Sequence, residues 1–108
     1  MTYFHKTLTK ERWHNFSRAE QLANIGSEYN RFIHLREAGD KKNASHSFDR
    51  LVELIDLSIN DPKCKKYASE ILRLREVICD NFLGESSYAV SSKALQDYFL
   101  QFALIARK

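Results

Sequence analysis

Three histidine and carboxylate pairs stand three residues apart in the chain: Glu11 with His14, His34 with Glu37, and His46 with Asp49. On a helix that spacing brings both side chains to one face, where an imidazole nitrogen and a carboxylate oxygen suit a divalent metal. A di-iron bundle needs two Glu-x-x-His motifs and two further inward glutamates. Only Glu11 and His14 run in that order, and they lie outside the periodic helical stretches. His34 and His46 flank one predicted turn, yet His46 falls about 160° from Phe48, on the polar side of its stretch. The pairs read as solvated surface pairs, and neither a metal nor another cofactor is expected.

Nucleophilic chemistry finds little support. Cys64, Cys79 and the serines stand in no glycine-framed elbow. Neither GxxxxGK[ST] nor GxGxxG occurs, which excludes nucleotide binding through those loops. The Arg-x(4 to 6)-His motif of small helical ribonucleases of the HEPN type is missing from every arginine. No catalytic residue is assigned, and a hydrolytic reading would have to draw on His34, His46, Glu28 and Arg75. The two cysteines fall on one predicted helix, where a rise of 1.5 Å per residue holds them roughly 22 Å apart, too far for a disulfide. With no CxxC, no leader pattern after Met1 and no long apolar run, the expected address is a reducing cytoplasm, with no membrane contact.

Seventeen Lys and Arg against fourteen Asp and Glu give a net charge of +3, compatible with an acidic partner without requiring one. Residues 39 to 61 carry five acids against three bases, and the balance then reverses around Lys63, Lys65 and Lys66. Those three lysines, with the basic N-terminal segment, are the candidate nucleic-acid contacts. Arg73, Glu76 and Asp80 mix both signs on the next polar face, the pattern of a solvated and self-paired surface.

The elements that position these residues are helices. The 108 residues include one proline and three glycines, too little turn chemistry for many short strands. Ser17-Arg-Ala-Glu20 is a capping box, and Leu22, Ile25, Tyr29, Phe32 and Ile33 carry an apolar stripe from it to Ala38 and Gly39. Gly26 costs this helix about 1 kcal/mol relative to Ala, which a close helix crossing would explain. A second stretch runs from Lys41 to Ile59, with Ala44, Phe48, Leu51, Val52 and Ile55 on one face and Asn60-Asp61-Pro62 as its stop. A third starts near Pro62, aligns Tyr67, Ile71, Leu74, Ile78 and Phe82, and ends at Gly84. After a loop over residues 85 to 90, Ser91 or Ser92 caps a fourth with Leu95, Tyr98, Phe99, Phe102 and Ile105 inward. Before Ser17, Leu8, Trp13 and Phe16 form a short helical lead-in, with Phe16 placed to staple onto the first long helix. The fold class is therefore all-α: an antiparallel up-and-down four-helix bundle over residues 17 to 108, behind a lead-in over residues 1 to 16.

Two features go beyond architecture. Arg75 sits at the margin of its stripe and needs a carboxylate; Glu28 is the expected partner in a structural ion pair. Leu35, Leu57, Leu72, Leu100 and Leu104 project away from the stripes, more apolar surface than a monomeric bundle has reason to expose. Leu57, Leu72, Leu100 and Leu104 are the candidate association surface, for a homo-oligomer or a protein partner, unless the fourth helix is central in a less regular bundle. The leading expectation is a non-enzymatic bundle acting through protein association, with an RNA-binding accessory protein as the alternative.

The residues Leu22-Ala-Asn-Ile-Gly-Ser-Glu28, Leu54-Ile-Asp-Leu-Ser-Ile-Asn-Asp-Pro62, Leu72-Arg-Leu-Arg-Glu-Val-Ile-Cys-Asp80 and Tyr98-Phe-Leu-Gln-Phe-Ala103 resemble those of a family of small uncharacterised bacterial helical proteins. The resemblance covers roughly residues 12 to 108. It implies a small helical fold and brings no activity, ligand or site with it.

Overall fold

In the computed structural model, which describes residues 10–83 and 92–107, the chain is all-α. The described residues form α1 (Lys10–His14), α2 (Arg18–Glu37), α3 (Lys41–Ile59), α4 (Ala68–Leu83) and α5 (Ser92–Ala106), with a 3-10 turn over Pro62–Tyr67 leading into α4. The capping box opens α2 as its residues predict. Ser17 Oγ accepts from the Glu20 amide at 3.1 Å, and Glu20 Oε1 accepts from the Ser17 amide at 2.9 Å. That backbone bond holds the Glu20 carboxyl below its usual range.

At the other end of α2, Gly39 takes φ +78°, the left-handed conformation that a residue with a Cβ rarely adopts. The Asp40 amide then reaches Leu35 O and the Gly39 amide reaches Arg36 O, closing a Schellman motif. Asp40 at once caps α3, its carboxylate accepting from the Asn43 side chain at 2.8 Å and from the Asn43 amide at 3.2 Å. Two short steps of chain chemistry thus fold α3 back along α2.

The stretch after Pro62 departs from the expected single helix. Its first six residues are 3-10, and α-helix begins only at Ala68. The cause is local. Asp61 Oδ1 accepts from the Lys63 amide at 3.0 Å, and the Cys64 amide bonds back three residues to Asp61 O at 2.9 Å, which tightens the turn. Pro62 fits that first position because it has no amide to lose.

The core is built from Leu22, Ile25, Tyr29, Phe32 and Ile33 of α2, Leu51, Leu54 and Ile55 of α3, Ile71, Leu74, Val77 and Ile78 of α4, and Leu95, Phe99 and Phe102 of α5. Helix α2 is the central element, lying along both α3 and α5, while α4 leans on α3. Gly26 makes the α2/α5 crossing possible: a Cβ there would stand 2.5 Å from Phe99 Cβ. The close crossing expected from this glycine is present.

The described end of the lead-in contributes to the core. Trp13 on α1 is 1% exposed, and Phe16 packs edge-on against it with ring centroids 5.7 Å apart. Phe16 therefore braces α1, while the staple position on α2 is held by Gln21, a polar residue. The loop over residues 85 to 90, the stop at Gly84, the cap at Ser91, Leu8 and the side chain of Phe82 lie outside the described residues. No helix among those described is long and apolar enough to cross a membrane.

Candidate functional site

Helix α5 buries one side and exposes another of the same chemical kind. Leu95, Phe99 and Phe102 are buried, whereas Leu100 is 54% exposed, Leu104 53% and Ile105 53%. Ile105 was expected inward. It lies at the edge of the buried arc in the last turn, and the structure puts it outside. Advancing about 100° per residue places Lys93, Asp97, Leu100 and Leu104 within an arc of about 60°, and continuing the same turn to Arg107, the first residue past the end of α5, widens it to about 80°. Their intervals alternate four and three, the spacing of a coiled-coil seam, and all five are exposed. On α4, Leu72 is 48% exposed.

Two of the expected outward leucines are not free. Leu57 and Leu35 are partly buried and pack against the core, so Leu57 leaves the candidate association surface. The expected Glu28 and Arg75 pair is likewise not formed. Arg75 Nε donates to Asp56 Oδ1 at 3.0 Å, and Glu28 Oε2 accepts instead from Ser47 Oγ at 3.0 Å. Periodicity placed Arg75 at a margin correctly. The neighbour on that margin is α3, not α2.

All three candidate nucleic-acid lysines are exposed. The Lys63 ammonium is nonetheless engaged, donating to Asp61 Oδ2 and, at 2.7 Å, to His14 O. It caps a buried polar cluster that no local pattern announces. Gln21, Ser58, Asp61 and Cys64 are all nearly inaccessible. Gln21 Nε2 donates to Trp13 O at 2.9 Å and Asp61 Oδ2 at 2.8 Å, and its Oε1 accepts from Cys64 Sγ at 3.3 Å. Trp13 Nε1 donates to Ser58 Oγ at 3.0 Å, and Ser58 Oγ in turn donates to Leu54 O at 3.0 Å. One signal for this cluster was present: Gln21 continues the α2 stripe one turn before Ile25.

Burial by itself pushes the Asp61 carboxyl up, but the bonds from Lys63 and Gln21 outweigh it and leave the group below its usual range. Burial also raises the Cys64 thiol, with the Asp61 charge adding to it, and burial raises Cys79. Both thiols are free, and a raised pKa makes neither a nucleophile.

A second junction ties α2, α4 and α5. Arg18 pairs with Glu70 at 3.3 Å and lies over the Tyr67 ring, 3.8 Å from its centroid, while Tyr98 donates its hydroxyl to Glu70 Oε1. Burial and that acceptor raise the Tyr98 hydroxyl strongly, so it stays protonated. Beside it an apolar cleft of about 280 Å³ opens between Leu74 and Val77 of α4 and Leu95 of α5.

His34 and His46 are exposed, His14 is half-buried, and among the described residues no three His, Cys, Asp or Glu side chains gather as a metal would require. Among the described residues, fold and surface together describe a small all-α protein in which Gln21, Ser58, Asp61 and Cys64 are buried with hydrogen-bond partners while Leu100, Leu104 and Ile105 of α5 are exposed. Comparison with known proteins returns no match: no family model fits the chain, and no curated protein or solved structure matches it.

Proposed function

We propose that this protein acts by association, presenting the outer face of α5 to a second protein surface, either its own copy or another chain, and that it catalyses no reaction. The observation that carries the reading is the pair Leu100 and Leu104, each more than half exposed and one helical turn apart on a seam-spaced face. Exposed leucines scattered singly need no explanation; an aligned pair does. Leu72 on α4 offers a further apolar contact. The free, buried or half-buried thiols suit a reducing cytoplasm, the compartment proposed here, and the resemblance to small bacterial helical proteins adds no competing activity. The nucleic-acid alternative retains Lys65 and Lys66, whereas Lys63 is held by Asp61 and the α1 backbone.

The test is solution molar mass by light scattering on the full chain, with Leu100→Glu and Leu104→Glu beside it. Association predicts a wild-type mass above the 12.7 kDa of one chain, alone or with a captured partner, and its loss in both variants with helicity intact. Loss of helicity instead would assign these leucines to the core and end the reading.

A further inference from the structure

The exposed face of α5 is more than apolar; its charges are ordered. Reading outward from Leu100 and Leu104 along the seam, Asp97 comes first on the N-terminal side and Arg107 first on the C-terminal side, each three residues away. Resting on the association reading above, we infer that the surface covering this face is a second copy of the same chain, paired antiparallel through α5, with Leu100 against the partner's Leu104 and Asp97 against the partner's Arg107.

The register follows from the spacing. An antiparallel seam that sets Leu100 opposite the partner's Leu104 also sets Leu104 opposite the partner's Leu100, because a two-fold axis makes every contact occur twice. The same register then brings Asp97 beside the partner's Arg107 at both ends, two apolar layers flanked by two opposite-charge layers. A parallel pairing in register would stack Asp97 on Asp97 and Arg107 on Arg107, placing like charges at both ends of the seam. Antiparallel alignment also sets the two helix dipoles head to tail. The charge order therefore selects one orientation and rejects the other, as charged seam positions do in coiled coils.

The surroundings accommodate this pairing. Gln96 and Gln101 flank the seam with uncharged polar groups, so no like charge adjoins the central layers. Between α2 and α5 a cleft of about 280 Å³ opens beside Leu100, bordered by the small side chains of Ala23, Ser27 and Ala103 and by the polar Asn30, His34 and Asp97, which leaves space for a partner side chain. Asp97 already meets Lys93 within its own helix at 3.2 Å, but both are widely exposed, and such a surface pair is weak enough to exchange for a new partner. The seam from Asp97 to Arg107 spans only about 15 Å, so the dimer is expected to be concentration dependent rather than permanent.

The experiment is a sedimentation-equilibrium series on the full chain over a wide concentration range, with helicity checked for every variant. Asp97→Arg and Arg107→Asp each turn two attractions into two repulsions, and each is expected to weaken dimerisation about tenfold. The double variant Asp97→Arg with Arg107→Asp restores opposite charges at both ends and is expected to recover wild-type affinity within about twofold. Recovery in the double variant supports the antiparallel pairing. If the charge variants change nothing while Leu100→Glu still lowers the mass, this pairing is overturned and association through α5 stands. If Leu100→Glu also changes nothing, both readings fall. A wild type that stays monomeric at every concentration overturns the second-copy inference outright.

Discussion

Around Asp61 the chain takes polar atoms inside and satisfies them, whereas along the outer face of α5 it turns leucines outward. The two regions invert the usual distribution in opposite senses. The buried cluster carries a desolvation cost that is repaid only because Gln21, Ser58, Lys63 and the α1 backbone all supply partners in place. Its yield is register: α1, α2, α3 and the 3-10 turn fit in one arrangement, since any slip would orphan a buried group. The α5 face imposes no such condition on the chain itself. Polar atoms buried with complete partners speak of a structure finished within one chain; aligned leucines left outside speak of a surface finished by something else.

Substitutions can break that contrast in graded steps. Trp13→Ala removes the largest fully buried side chain of the polar end together with the indole bond to Ser58. It should cost about 3–5 kcal/mol in denaturant unfolding, without altering the association of whatever protein remains folded. A cost below about 1 kcal/mol would show α1 to be peripheral. Gly26→Ala stands between the two regions. Helix propensity alone favours it by about 1 kcal/mol, yet the new methyl meets Phe99 Cβ, so a net loss of about 2 kcal/mol is expected, with α5 displaced from α2. Equal or higher stability would mean the crossing is loose.

Asp61→Asn keeps the shape and deletes the charge that Lys63 answers, with an expected loss of about 1–2 kcal/mol at neutral pH. The pH dependence sharpens it. The folded carboxyl lies below its unfolded value, so its contribution is fully present above the unfolded pKa, about 3.9, and is lost as the pH falls through the lower folded value. Unfolding midpoints of wild type and Asp61→Asn should therefore differ at pH 7 and converge toward pH 2. At the small end, Leu100→Glu should shift unfolding by less than about 0.5 kcal/mol while lowering the solution mass. A variant with large effects on both would erase the contrast by making α5 part of the interior.

What could be read from the sequence follows the range of the interactions involved. The Ser17 box, the Gly39 stop, the span of α3 and the reason for Gly26 depend on residues within a few positions, or on a periodicity that repeats every turn, and the structure has them all. The polar cluster joins residues some forty positions apart, such as Gln21 and Asp61, where no period connects the ends. Arg75 illustrates the boundary between the two cases: its place on the edge of α4 was legible, but which helix lay beyond that edge was not, and Asp56 took the role expected of Glu28. Likewise the phase of α5 identified Leu100 and Leu104 as outward but misplaced Ile105, where one step of about 100° at the margin decides the side. Leu57 failed for a related reason: it stands off its own stripe yet meets side chains from a neighbour.

Trp13 is the only tryptophan in the chain, fully enclosed and bonded through its indole nitrogen to Ser58. Light emitted by this protein on excitation beyond the tyrosine band therefore originates at a single address, against α3. The molecule carries its own optical witness to the packing of α1 on α3, so that fluorescence and mass can be followed in the same cuvette.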